Sequence, residues 1–175
     1  MRLKKMDGRG SPDADRSDAI ATEWARERPD IDAFPMTVVA RIQRVSQALK
    51  PLLDGAQEPF GLKGESFDVL ASLRRAGEPY ELSPTALYSE LMITSGTMTN
   101  RLDRLEAASL IARRPDPSDG RGTLVALSKK GRALIDRALG DHAANEATLL
   151  SALTHEELES LSALLRKLLL SWDDL

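Results

Sequence analysis

Between Ser83 and Leu127 the hydrophobic period changes from that of helices to that of strands, and that change limits the fold more than any other feature of the sequence. Ser83 followed by Pro84 is a strong helix start: a hydroxyl to cap free N–H groups, then a residue whose fixed φ suits the first turn. The helix so begun runs over Thr85–Met92, and after a turn through Ile93 and Thr94 a second runs from Ser95 to about Ala108. Two short helices joined by a few residues, the second rich in small polar side chains, form a helix-turn-helix. Leu110–Arg114 then reads as a short strand, Pro115 to Gly122 as a charged turn, and Thr123–Leu127 as the returning strand. A β-hairpin with Arg121 near its tip is expected after the second helix.

Helical segments flank this block. Residues 1–12, with Gly8, Gly10 and Pro12, read as a disordered start. An extra N-terminal helix occupies the segment 13–32, from Asp13 to about Glu27, and is stopped by Pro29. Val38, Ile42, Val45, Leu49 and Leu52 fall at helical spacing in a second helix from Ala33 to about Asp54, which Pro51 ends or bends, with Gly55–Gly64 as a loop. A third helix covers Glu65–Ala76 and closes at Gly77. Ser128 caps a helix to about Leu153 with a weak point at Gly140, and Thr154 with Glu157 forms a capping box for a last helix to about Ser171. The fold class is mainly α with a small β-wing, a winged helix-turn-helix whose lobe spans residues 61–127.

At 175 residues the chain is long enough for a core of its own. It has no cysteine, which removes disulfides and thiolate chemistry together. No run approaches the roughly 18 apolar residues of a membrane span, and the polar stretch Met1–Ser17 has no apolar signal core, so a cytoplasmic protein without membrane partners is expected. The two histidines, His142 and His155, fall in C-terminal helices with no paired nucleophile, and no glycine loop suits a phosphate. They read as exposed or capping residues, and the chain as a non-enzyme with no catalytic residue, metal site or cofactor.

The net charge of −3 is unevenly spread. From Ser95 to Arg132 eight basic residues stand against four acidic ones, a local excess of four. Phosphate contact depends on such a patch and not on the total. On a wheel of about 100° per residue, Leu102 and Leu105 lie within roughly 40° of Met98 and form a buried stripe. Gly96, Thr99, Asn100, Asp103 and Arg104 occupy the opposite half, with Thr97 on the flank. That low polar surface suits the major groove, with Asn100 and Arg104 on base edges and Ser95, Thr97 and Thr99 on phosphates. Arg121 on the wing would enter the adjacent minor groove. Single strands need aromatic platforms, and none of the seven aromatic residues lies in the basic segment, so double-stranded DNA is the expected partner.

The stretch Asp116–Ser128, preceded by Leu110-Ile-Ala-Arg-Arg114, resembles the MarR family of bacterial transcription regulators. Asp119-Gly-Arg121 matches the family's Asp-x-Arg wing, and Val125-Ala-Leu-Ser128 its Val-x-Leu-Thr strand with serine for threonine. The resemblance runs from Trp24 onward. It implies a homodimer on pseudo-palindromic DNA, acting as a repressor, with a helical dimerisation region built from residues 33–58 and 128–175. Leu149, Leu150, Leu153, Leu158, Leu161, Leu164, Leu165 and Leu168 would supply that interface, the alternative being a core within one chain.

The extra helix, with Trp24-Ala-Arg-Glu-Arg-Pro-Asp-Ile-Asp32, looks like the urate-responsive, HucR- and PecS-like branch of the family. That branch implies a ligand site of Trp24, Asp68, Arg75 and Arg101, and a urate-like purine anion as effector. Asp68 and Arg75 would lie about 10 Å apart on one stripe of their helix. Arg101, about 60° from the buried stripe, would face the lobe's flank. The competing readings are that Trp24 anchors its helix, that Arg75 complements a helix dipole, and that Asp68 and Arg101 are ion-pair partners. Two alternatives keep the fold: an aromatic carboxylate or phenolic effector, or a DNA-binding protein with no small-molecule effector.

Overall fold

The computed structural model describes residues 14–172, the side chains of Gly120 and Arg121 excepted, in two units that divide between Leu52 and Leu53. The stretch read as a disordered start lies outside the described residues. In the N-terminal unit α1 (Arg16–Glu27) starts at a capping box: the Asp15 carboxylate accepts from the Ser17 and Asp18 N–H groups, and Asp18 accepts from the Asp15 N–H at 2.8 Å. Arg41 of α2 (Phe34–Gln57) fastens this cap, its Nη2 donating to Asp18 Oδ1 at 2.6 Å and its Nε to Asp15 Oδ2 at 3.2 Å. Those hydrogen bonds hold both aspartates below the usual carboxylate range.

The C-terminal end of α2 differs from expectation. Pro51 sits inside the helix, which runs on to Gln57 through the start of the expected loop. Proline removes one N–H from the Gln47 carbonyl, but both residues are exposed, so water can take that place. The stop is instead a 3₁₀ turn, Glu58–Phe60, followed by Gly61 at φ +66°.

The C-terminal unit is built around α3 (Gly64–Arg75), α4 (Pro84–Glu90), α5 (Ser95–Ala107) and α6 (Lys129–Leu149). Phe67, Val69, Leu70 and Leu73 of α3 meet Leu87 of α4, Met98, Leu102 and Leu105 of α5, and Ile135 and Ala138 of α6 in one buried core. Ser83 caps α4 as expected, accepting from the Ala86 N–H. The helix ends at Glu90 and not at Met92, because Met92 turns left-handed at φ +51° and redirects the chain into α5.

The sheet has three antiparallel strands in the order β1 (Glu81–Leu82), β3 (Asp119–Leu127), β2 (Ile111–Asp116). β1 pairs Glu81 with Ala126 and Leu82 with Val125. Two residues between Pro79 and Pro84 show no period, so only tertiary pairing reveals this strand. The hairpin is also longer than its composition suggests. Pro115 pairs with Thr123 and Asp116 with Asp119, which confines the turn to Pro117 and Ser118. Pro115 is tolerated because β2 is an edge strand and an irregularity lies beside it.

Ser128 caps α6, which passes Gly140 without a break but stops at Leu149. Thr154 and Glu157 form the expected capping box at the start of α7 (His155–Leu170). Among the described residues no helix is long and apolar enough to cross a membrane.

Candidate functional site

Thr94 caps α5, its hydroxyl accepting from the Thr97 N–H at 3.3 Å and lying 2.9 Å from the Thr97 hydroxyl. The side chains of Met98, Leu102 and Leu105 are buried, whereas Ser95, Gly96, Thr97, Thr99, Asn100, Asp103 and Arg104 are exposed. The residues expected to read DNA therefore share one solvent face. Thr99 donates its hydroxyl to the Ser95 carbonyl at 3.0 Å, so this hydroxyl is already engaged within the helix. Arg121 lies on β3 beside the hairpin turn, and its side chain is outside the described residues.

Arg113 locks the wing to α5. Its Nη2 donates to Asp103 Oδ1 and its Nη1 to Glu106 Oε2, each at 2.7 Å, while its backbone N–H donates to Glu106 Oε1 at 3.1 Å. Partial burial opposes the charge on Arg113, but the bond to Asp103 and the field of Glu106 outweigh it and raise the pKa. At the tip Asp116 accepts from the Ser118 hydroxyl at 2.6 Å and from its N–H at 2.8 Å, which keeps this carboxyl ionised below its usual range.

A groove of about 560 Å³ opens between α3 and α6, with Asp68 and Arg75 both on its wall. Phe67, Arg74, Leu91, Asp136 and His142 also line it. Arg74 Nε donates to Asp136 Oδ1 at 2.6 Å, and that bond raises the arginine's pKa. Arg75, with 73% of its side chain exposed, pairs with Glu90 at the end of α4. His142 is not an exposed helix residue as expected. Its ring lies 4.5 Å from that of Phe67, and its Nε2 is 3.2 Å from Glu146 Oε1. Asp136, Leu139 and His142 recur every third residue of α6, a spacing that was legible but silent without knowing which face α3 covers.

The other two residues of the implied ligand set sit elsewhere. Arg101 does not line the groove; its side chain is 13% exposed and its Nε is 3.5 Å from Glu65 Oε2, in the first turn of α3. Trp24 belongs to the N-terminal unit, where it packs beside Ser17, Ile20, Ala33, Met36, Thr37 and Ala40 and remains 41% exposed. Glu65 was missed by sequence reasoning, because a glutamate in the first turn of a helix reads as a dipole complement.

A polar helix presented by a helix-turn-helix, with a β-wing braced to it by ion pairs, defines the class of winged helix-turn-helix DNA-binding proteins. The MarR family model matches residues 60–122. The HTH-type transcriptional regulator PecS of Dickeya dadantii is 42% identical over 146 residues, covering 83% of this chain and 88% of that protein. The multiple antibiotic resistance protein MarR of Escherichia coli is 33% identical over 131 residues, 73% and 88% of the two chains. The chain belongs to the MarR family of transcriptional regulators. Its fold matches a mutant E. coli MarR complexed with operator DNA at a TM-score of 0.69 and 28% identity, over 83% of this chain and 97% of that one. It also matches AbsC of Streptomyces coelicolor in fold, at a TM-score of 0.74 and 21% identity, over 80% and 95% of the two chains. The protein is accordingly a DNA-binding transcriptional regulator.

Proposed function

We propose that the chain acts as a homodimeric repressor on pseudo-palindromic duplex DNA and is released by a small aromatic anion of the urate type. The observation that carries the DNA reading is α5, whose apolar stripe is wholly buried while Ser95, Thr97, Thr99, Asn100 and Arg104 share the open face. Asn100 and Arg104 take base edges in the major groove, the three hydroxyl residues take phosphates, and Arg121 takes the minor groove. Residues 61–127 form the reading lobe.

The dimer reading is supported by α7, which has no buried residue and exposes Leu161, Leu164, Leu165 and Leu168. These leucines are not a core within one chain. In the N-terminal unit α2 likewise exposes Val38, Val39, Ile42 and Val45. Faces this apolar are characteristic of association surfaces, and residues 33–58 and 128–175 are assigned to the subunit interface.

The effector reading is supported by the groove that holds Asp68 and Arg75. An anion pairing with Arg75 competes with Glu90 for the guanidinium and is repelled by Asp68, which loosens the hold of α3 on the end of α4. Trp24 as a stacking platform and Arg101 as a fourth ligand residue rest on the family resemblance alone. The effector is bound and not turned over.

The test is fluorescence anisotropy of the full-length protein on duplex DNA from upstream of its own gene, at fixed salt, with and without urate. Tight specific binding relieved by urate, with the urate recovered unchanged, is expected. Binding relieved by salicylate but not by urate replaces the effector class, and binding indifferent to both removes the effector from the reading.

A further inference from the structure

Arg101 and Arg104 lie on successive sides of α5, and both turn to the same acceptor. Glu65 Oε2, in the first turn of α3, is 3.5 Å from Arg101 Nε and accepts from Arg104 Nη2 at 3.3 Å. The two guanidinium groups differ in their freedom. Arg101 is 13% exposed, and its buried Nε makes no hydrogen bond; it is a fixed charge beside the lobe's core. Arg104 is 53% exposed, and its Nε donates to the Asn100 carbonyl at 3.2 Å, which keeps its stem along the reading face. A carboxylate oxygen that receives an arginine on a DNA-reading helix occupies the place that a phosphate oxygen or a guanine edge would fill.

We infer that Glu65 is an intramolecular competitor for DNA, a positioning residue that occupies Arg104 in the free protein and must give it up on the operator. This rests on the reading of Arg104 as a DNA contact. Two physical consequences follow. Free Arg104 is held in one arrangement before DNA arrives, so little side-chain entropy is lost on docking. Part of the energy of the new contact is offset by the broken pair with Glu65. Because Glu65 lies one turn before Asp68 on α3, the strength of that competition depends on where α3 sits. Arg101 stays behind as the permanent partner, so Glu65 keeps a counter-charge when Arg104 leaves.

The test uses the full-length protein on its operator duplex, with anisotropy titrations at several salt concentrations for wild type, Glu65→Gln, Arg104→Ala and the double variant. An exposed pair of this kind is worth a factor of about two to five per lobe. Glu65→Gln should therefore tighten operator binding by about fourfold to twenty-five-fold in a two-lobed protein, and Arg104→Ala should weaken it. In the double variant the gain should vanish, because no arginine remains to be released. Glu65→Asp keeps the charge and should bind close to wild type, which controls for a folding defect in the glutamine variant.

Each other outcome overturns the inference in a recognisable way. Unchanged binding by Arg104→Ala removes Arg104 from the DNA contacts and the competition with it. A loss in Arg104→Ala with no gain in Glu65→Gln leaves the DNA contact standing and removes the competitor. A gain that survives in the double variant reduces Glu65 to a general negative field. Weaker binding by a folded Glu65→Gln makes Glu65 a helper and not a competitor.

Discussion

Gly131→Ala tests how firmly the start of α6 is set against the strand that leads into the wing. Gly131 is buried, the third residue of α6, and its N–H donates to the Ser128 hydroxyl at 2.9 Å. A Cβ at this position would stand 2.0 Å from the Leu110 carbonyl oxygen and 2.9 Å from its carbon, where ordinary contact begins near 3.4 Å. That oxygen cannot withdraw. It accepts from the Ser128 N–H at 3.0 Å, while the Leu110 N–H donates to the Leu105 carbonyl at 2.9 Å, so the residue is tied to both α5 and α6. Helix propensity alone would favour alanine by about 0.8–1 kcal/mol. Overpacking costs about 1–3 kcal/mol, and a 2.0 Å approach to a backbone oxygen that cannot rotate away belongs at the upper end of that range, so the net expectation is a loss of about 2 kcal/mol. For a chain of this length that lowers Tm by roughly 4–8 °C. Circular dichroism melts should be run at one protein concentration, since association makes Tm concentration-dependent. Gly140→Ala is the control on the same helix: no heavy atom lies within 4 Å, and a gain of up to about 1 kcal/mol is expected. A Gly131→Ala protein that melts at or above wild type would refute the close approach of Gly131 to the Leu110 backbone.

Two further outcomes can be stated from the ion pairs. Asp15 and Asp18 have depressed pKa values because Arg41 donates to both, so their contribution is complete at neutral pH and disappears as pH falls below about 4. With Trp172→Phe leaving Trp24 as the reporter, the emission of α1 should change across that window, and Arg41→Ala should show the changed emission already at pH 7. A flat acid titration would mean that Arg41 does not hold α1. Arg113→Ala should lower urea stability by about 1–3 kcal/mol, because Asp103 and Glu106 lose the residue that joins the wing to α5. An unchanged urea midpoint would assign that bracing to the strands alone.

What the sequence made legible was local. Ser83-Pro84, Ser128 and the Thr154/Glu157 box each start a helix through chemistry contained within four residues, and the structure begins its helices there. The buried stripe Met98, Leu102 and Leu105 follows from helical period alone. The misplaced boundaries share a different cause. Pro51 and Pro115 read as breakers, yet one lies on an exposed helix face and the other on an edge strand, and neither context is written near the proline. Met92 ends α4 two residues early because the turn into α5 requires a left-handed residue, which nothing in its side chain announces. The candidate groove divides in the same way. Asp68 and Arg75 share a stripe of one helix and were legible, whereas Asp136 and His142 come from α6 and enter only when α3 packs there.

The charge count was the least transferable reading, and the reason bears on function. A local excess of four positive charges looks like a patch offered to DNA. In the folded lobe four of the segment's arginines are already paired: Arg113 with Asp103 and Glu106, Arg114 with Glu81, Arg101 and Arg104 with Glu65. Arg113, largely buried and held by two carboxylates, cannot leave without breaking both ion pairs at once, so its role is to set the angle between wing and helix. Arg104, more than half exposed and sharing one carboxylate with a neighbour, can leave at small cost. Affinity for DNA is then fixed less by how many positive charges the lobe carries than by which acids release them. Acids on α3 do this differently from acids on α5, because only α3 also lines the groove in which an anion would bind.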